Sequence, residues 1–251
     1  MGRPIYSFGA HCGSGSGLAI RKCGLKWLTQ HPGPAVNEFV CMSIASAAGI
    51  EVPEFYLSDN RQLFVVRRFD RDPAGNALGF EDMAVLTAKR ASNKYTGSYE
   101  QIARAISLFC HPDRVPEQHS RLFNQVALSC IVGNGDAHLK DFGLLYSDPS
   151  ANDARLTPAF DIVNTTAYMP EDSLALTLGG SKSIFASRLH LLTFAERLGA
   201  SDPYDRVRRI LEATNATLQK HSDLVDEHLK IQEAIRAGWQ QFSDTFNKKP
   251  E

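Results

Sequence analysis

No two cysteines in this chain stand at C-x-x-C spacing. The five thiols, Cys12, Cys23, Cys41, Cys110 and Cys130, are scattered and odd in number. That argues against a closed disulfide framework and predicts a reducing, cytoplasmic setting. The eight histidines form no H-x-x-x-H or H-E-x-x-H pattern, so no zinc site is expected. No apolar run approaches the roughly 20 residues that a membrane span needs, so no membrane association is expected. The first residues lack the charged, apolar and cleavage regions of a secretory signal. An excess of one charge is missing too. The 27 Lys and Arg oppose 28 Asp and Glu, and a net charge of −1 provides no basic field to draw nucleic acid directly. Internal repeats and long low-complexity tracts are absent. What is present is 251 residues with 43% hydrophobic content, enough for one large domain or for two lobes with substantial cores.

Against that unmarked background one segment stands out, Asn134-Gly135-Asp136-Ala137-His138-Leu139-Lys140-Asp141. It follows an apolar helical run and precedes a strand-like run, Phe142 to Tyr146. A second acidic signal, Phe160-Asp161-Ile162, comes about twenty residues later. An acid on a loop, an oxygen ligand five residues on and another acid after a hairpin form the arrangement that phosphoryl transfer uses. Asp136 is the candidate base for a substrate hydroxyl. Taken alone, an Asn-Gly-Asp acid is more often satisfying its own loop, and the company of the other two acids reverses that balance. Asp141 and Asp161 are the candidate magnesium ligands, since carboxylates suit a hard cation. Asp141-Phe142-Gly143 spells D-F-G, but its spacing from Asp136 puts Asp141 at the position where kinases carry a metal-binding Asn. Phe160-Asp161-Ile162 is then the functional equivalent of D-F-G. His138 is expected to support the loop through Asp161 or a backbone carbonyl, and Lys140 to place positive charge near the γ-phosphate or simply to be solvated. Asn164 is a candidate supporting polar residue.

The remaining candidates lie upstream. Lys26, in a strand-like run, and Glu38, at the start of a helix, could pair so that the lysine meets the α- and β-phosphates; a surface lysine and a helix-start acid are the plainer alternative. Cys12 to Gly17 is either a flexible segment or a glycine-rich phosphate loop, with Ser14 and Ser16 in it. The backbone of Val66 and Arg67 could meet an adenine edge, and Arg68 to Arg71 would organise the hinge.

Periodicity and turn chemistry give an α+β chain of two kinase-like lobes. Residues 1–71 form a small β-rich N-terminal lobe. Asp72-Pro73-Ala74-Gly75-Asn76 is turn chemistry at the boundary. Residues 72–251 form a larger, mainly helical lobe with the acidic loops. Within the first lobe, strand-like runs lie between Leu18 and Trp27. Asn37 is expected to cap a helix over Glu38 to Ala48, and Val52–Leu57 and Leu63–Arg68 to form strands around Asp59-Asn60. Within the second, Ser98 starts a helix running to Cys110 and Pro116–Val132 forms another. Phe142–Tyr146 pairs with Arg155–Thr157, and Leu174–Leu178 with Lys182–Phe185. Ser201 caps a helix over Pro203 to Leu218, and Ser222 to Phe246 reads as one long terminal helix.

Together these elements resemble the HipA-like toxin kinase family. The matching stretches are Leu25-Lys26-Trp27, Asn37-Glu38, Val65 to Arg71, Asn134 to Asp141 and Leu156 to Ile162, in family order across residues 18–245. The resemblance implies an ATP- and magnesium-dependent serine/threonine protein kinase acting as the toxin of a toxin–antitoxin module. It implies a protein substrate, an aminoacyl-tRNA synthetase, whose phosphorylation arrests translation. It further implies a HipB-like DNA-binding antitoxin, with DNA met only through that partner. With little sequence ahead of Lys26, the chain looks like the short HipT form, whose missing subdomain is a separate HipS-like protein. Two departures stand out: the family's S-x-G-x-Q-x-K loop is replaced by Cys12 to Leu18, without that Gln and Lys, and Asp141 stands where the family often has Asn. A small-molecule kinase, or a pseudokinase serving as an antitoxin-binding module, remains as the alternative.

Overall fold

The computed structural model describes residues 18–21 and 32–246. Two small antiparallel sheets and a set of helices make up the described residues. β1 (Leu18–Arg21), β2 (Phe55–Leu57) and β3 (Phe64–Arg67) form the first sheet, in the order β1-β3-β2. The β2–β3 hairpin turns near Asp59-Asn60 as expected, with Phe55 opposite Val66 and Leu57 opposite Phe64. Between β1 and β2 runs α1 (Pro34–Ala47).

α1 begins earlier than the expected cap at Asn37. Gly33 is its N-cap, at φ 71°, and Pro34 occupies the first helical turn. A glycine tolerates this left-handed conformation, and proline's fixed φ suits the first helical position. Asn37 is therefore inside the helix and fully buried, and its side chain reaches across the molecule instead of capping. Its Nδ2 donates to the Asn164 carbonyl at 2.8 Å, and its Oδ1 accepts from the Asn164 N–H at 2.7 Å.

The turn at Asp72 to Asn76 forms as expected, with Asp72 Oδ1 accepting from the Asn76 N–H at 2.8 Å. Beyond it, β4 (Gly79–Asp82) pairs with β5 (Gly143–Tyr146), which pairs in turn with β6 (Arg155–Leu156). α2 (Met83–Leu86) follows β4, capped by Asp82, whose Oδ1 accepts from the Val85 N–H at 3.0 Å. α3 (Tyr99–Phe109) starts at the Ser98 cap, and α4 (Val115–Ile131) leads into the acidic loop, both close to expectation. α4 is the hub of the helical part and packs against α3, α5 (Ile184–Leu198), α6 (Pro203–Lys220) and α8 (Leu229–Phe246). α1 packs on α6 and on the first sheet, so a continuous set of buried apolar side chains links both sheets and the helices.

Three expectations are corrected. Lys182–Phe185 is not a strand: Leu178 and Ser181 make only an isolated bridge, and Ser183 caps α5 by accepting from the Ala186 N–H at 3.1 Å. Ser201 does not cap α6; Asp202 holds that place, and the Ser201 carbonyl takes Arg206 Nε at 2.7 Å. The terminal helix is broken into α7 (Ser222–Val225) and α8. Tertiary contacts at the break explain it, because Glu227 pairs with Arg61 at 2.6 Å and the His228 ring lies against Gly33. Among the described residues, no helix is long and apolar enough to cross a membrane.

The Asn37–Asn164 clasp predicts its own test. Asn37→Ala strands a buried N–H and a buried C=O on Asn164 and is expected to destabilise the protein by on the order of 2 kcal/mol in urea unfolding. A midpoint within error of wild type would show that the clasp contributes nothing.

Candidate active site

The acidic loop is built by backbone capture at the end of α4. The Asn134 side chain accepts from the Asp136 N–H at 3.0 Å, an Asx turn that fixes where Asp136 leaves the chain. Gly135 precedes it in a tight corner. Its N–H donates to Thr165 Oγ1 at 2.8 Å, and a Cβ there would lie 2.0 Å from Asp172 Oδ2. No side chain larger than hydrogen fits that approach.

The Asp136 carboxylate is largely buried and accepts a hydrogen bond from the Tyr95 hydroxyl at 2.5 Å on Oδ1. Burial raises its pKa; His138, the Tyr95 hydrogen bond and Lys94 oppose that, and the charge of Asp161 adds to it.

Two residues on, His138 is 5% exposed. Its Nδ1 lies 2.7 Å from Asp141 Oδ2, which also accepts from the His138 N–H at 2.9 Å. On the other side of the ring, Nε2 is 2.6 Å from Nζ of Lys94, itself 7% exposed. A single proton fits between those two nitrogens. Burial works against a charged His138, but the Asp141 and Asp136 carboxylates outweigh it and raise its proton affinity. Burial pushes the Asp141 carboxyl up to about 7, with His138 opposing and Asp161 and Asp136 adding to the rise.

Asp161 arrives on the second loop. Phe160 stacks on Phe69 at 4.9 Å, and the Ala159 N–H donates to Glu51 at 2.7 Å. After Asp161 comes Asn164, held by Asn37 and itself donating to the Val132 carbonyl at 2.6 Å. Pinned on both sides, Asp161 sits at φ 58°. A non-glycine residue in that region costs about 1–3 kcal/mol and persists only where the surroundings over-determine it.

The structure thus brings Asp136, Asp141, Asp161 and His138 into one electrostatic cluster. Among the described residues, no group of three or more His, Cys, Asp or Glu side chains forms a ready-made metal cage. A magnesium site does not require one, since magnesium is commonly held by one or two carboxylates together with substrate phosphates and water. The buried excess of carboxylates fits such an ion.

Other expected residues fall differently. His138 meets Asp141 and Lys94 rather than Asp161 or a carbonyl. Lys140 Nζ pairs with Asp82 Oδ2 at 3.0 Å, at a half-exposed position. Val66 and Arg67 lie on the central strand of the first sheet, where the flanking strands use their backbone groups, so they do not present the open edge an adenine needs. Glu38 is 2% exposed on α1, beside Asn37. Its expected partner Lys26, like Ser14 and Ser16, lies outside the described residues.

Residues 94–99 were missed. Besides the two side-chain contacts of Lys94 and Tyr95, the Lys94 carbonyl accepts from the Leu139 N–H at 3.1 Å, and the Tyr99 hydroxyl donates to the Ala137 carbonyl at 3.1 Å. Four consecutive positions of the acidic loop are therefore held by one distant segment. The only local sign was the capping box at Ser98, which announces a helix and not a support.

A family model described as HipA-like C-terminal domain matches residues 7–222. A protein of Sinorhizobium fredii named "Putative kinase Y4dM" is 31% identical over 88% of this chain and 61% of its own length. The chain thus spans about three fifths of that relative. Among solved structures, HipA of Shewanella oneidensis, in complex with HipB and operator DNA, aligns at a TM-score of 0.71 and 17% identity, over 91% of this chain and 58% of that one. The Helicobacter pylori proinflammatory kinase CtkA aligns at 0.53 and 14% identity, over 89% and 90%. The fold is similar to that of these kinases.

The Asp82–Lys140 pair separates two contributions. Asp82→Ala removes the α2 cap and is expected to cost about 1 kcal/mol in thermal unfolding. Lys140→Met, at a half-exposed site, is expected to stay within about 0.5 kcal/mol of wild type. Equal losses would show that the ion pair, not the cap, is what Asp82 provides.

Proposed function

The chain belongs to the HipA-like C-terminal domain family, and from that premise we propose that it is an ATP- and magnesium-dependent serine/threonine protein kinase. The observation that carries this reading is the association of Asp136, Asp141 and Asp161, set on two loops that other parts of the chain pin in place. Asp136 takes the proton of the acceptor hydroxyl. The acceptor oxygen bonds to the γ-phosphorus as the bond from phosphorus to the β–γ bridging oxygen breaks, and the electron pair leaves with ADP. Asp161 and Asp141 would hold a magnesium ion, whose charge would neutralise the phosphate oxygens. His138 engages Asp141 through Oδ2 and so fixes the orientation of that carboxylate.

Partner and substrate follow from the same premise. The Shewanella relative is seen with HipB and operator DNA. We assign this chain a HipB-like antitoxin partner and an aminoacyl-tRNA synthetase as the class of protein substrate. Its role is then the toxin of a toxin–antitoxin module that inhibits translation in the cytoplasm.

Two substitutions test the assignment of roles. Asp136→Asn is expected to lower ATP-dependent phosphorylation by about 10²-fold or more while calorimetric binding of ATP–magnesium persists. Undiminished turnover would remove Asp136 from the role of base. Asp161→Asn is expected to weaken nucleotide binding in the presence of magnesium and to leave the weaker magnesium-free binding alone. Unchanged affinity in both conditions would place the metal elsewhere.

A further inference from the structure

The groove between β5, the β5–β6 turn and the end of α3 carries Glu81, Asp148 and Asp153 beside Phe109 and Tyr146. Asp148 and Asp153 are taken up by the backbone N–H groups of Ser150 and Ser147. The segment beneath the acidic loop is different, because one of its side chains, Tyr95, reaches the carboxylate that would do the chemistry.

We propose that Tyr95 is a positioning residue for Asp136, an inference that rests on the kinase reading above. Among the described residues, the hydrogen bond from the Tyr95 hydroxyl to Oδ1 at 2.5 Å is the one that the Asp136 carboxylate receives. It sets the rotation of the carboxylate and directs Oδ2 to the acceptor hydroxyl. A carboxylate free to rotate about its side-chain torsions would present that lone pair only part of the time, and small misplacements of a reacting group cost heavily in rate. The hydrogen bond also opposes the effect of burial, which raises the proton affinity of Asp136.

Tyr95 is itself held from three sides. Its ring meets the His138 ring edge-on at 5.1 Å, and the Lys94 ammonium lies 4.9 Å from its ring centre. Its carbonyl accepts from Lys182 Nζ at 3.0 Å, while the same ammonium reaches the Ala175 carbonyl at 2.6 Å. Residues 174–182 dock beside it, with the Tyr99 N–H donating to the Thr177 carbonyl at 3.1 Å and the Thr177 N–H to that of Gly97 at 3.0 Å. The segment that follows the Asp161 loop is thereby connected to the orientation of the candidate base through one side chain.

The test is a double-mutant cycle on the full chain. Wild type, Tyr95→Phe, Asp136→Asn and the double variant are assayed for transfer of γ-labelled phosphate from ATP–magnesium into bacterial lysate proteins. Tyr95→Phe keeps the ring and removes only the hydroxyl. Its initial rate at saturating ATP is expected to fall about 10-fold, with the ATP concentration for half-maximal rate and the melting temperature unchanged. In the Asp136→Asn background the same change is expected to have no further effect, because a residue acting through Asp136 has nothing left to position. A Tyr95→Phe rate equal to wild type, or an equal fold-loss in both backgrounds, overturns the inference while Asp136→Asn still reports the base. Full activity of Asp136→Asn, or no transfer by wild type, overturns the kinase reading and this inference with it.

Discussion

Negative charge packed into a water-poor space is the constraint to which the rest of this structure answers. Asp136, Asp141 and Asp161 lie within electrostatic reach of one another, and burial raises the pKa of the first two. Carboxylates so placed repel, and their ionised forms are disfavoured unless positive charge or hydrogen-bond donors stand near. The protein supplies some of each: the Lys94–His138 contact, the His138 N–H on Asp141 and the Tyr95 hydroxyl on Asp136. A divalent cation would supply the rest. In the proposed function this unbalanced charge is what gives the site its affinity for magnesium.

Holding like charges together requires a stiff frame, and the frame is made of contacts distant in sequence. The Asn37–Asn164 clasp ties the helix that carries Glu38 to the loop that carries Asp161. Phe69 on Phe160 does the same from the chain that leaves β3. Gly135 is pressed against Asp172, and Asp172 takes the hydroxyl of Thr165 at 2.5 Å, so the two acidic loops brace each other directly. The left-handed backbone at Asp161 persists because both of its flanks are fixed.

Much of this was legible in the residues. The Asn134 to Asp141 loop, the hairpins around Asp59-Asn60 and between Tyr146 and Arg155, and the helices entered at Ser98 and Pro116 all carry local signals: an Asn-Gly-Asp turn, apolar strand-like runs, a capping box. What was not legible depends on partners far along the chain. Asn37 reads locally as a cap, and only the position of Asn164 turns it inward. Lys140 reads as a positive charge near the γ-phosphate or as a solvated side chain, and its pairing with Asp82 has no local sign. Val66 and Arg67 read as an open edge until β1 pairs with β3. Lys94 and Tyr95 carry no local mark, since their targets lie some forty residues away. The break before α8 contains neither proline nor glycine and comes from packing against Arg61 and Gly33.

The account turns on where the γ-phosphate goes. The most direct measurement is to incubate the purified protein with γ-labelled ATP, magnesium and a bacterial lysate, then to follow the label in both the protein and the small-molecule fractions. The account predicts label in one or a few protein bands, on serine or threonine, stable to the hydroxylamine that strips acyl phosphates. Label appearing only in a small organic phosphate would contradict a protein kinase and reassign the same acids to a small-molecule acceptor. Intact ATP beside bound nucleotide would contradict catalysis itself.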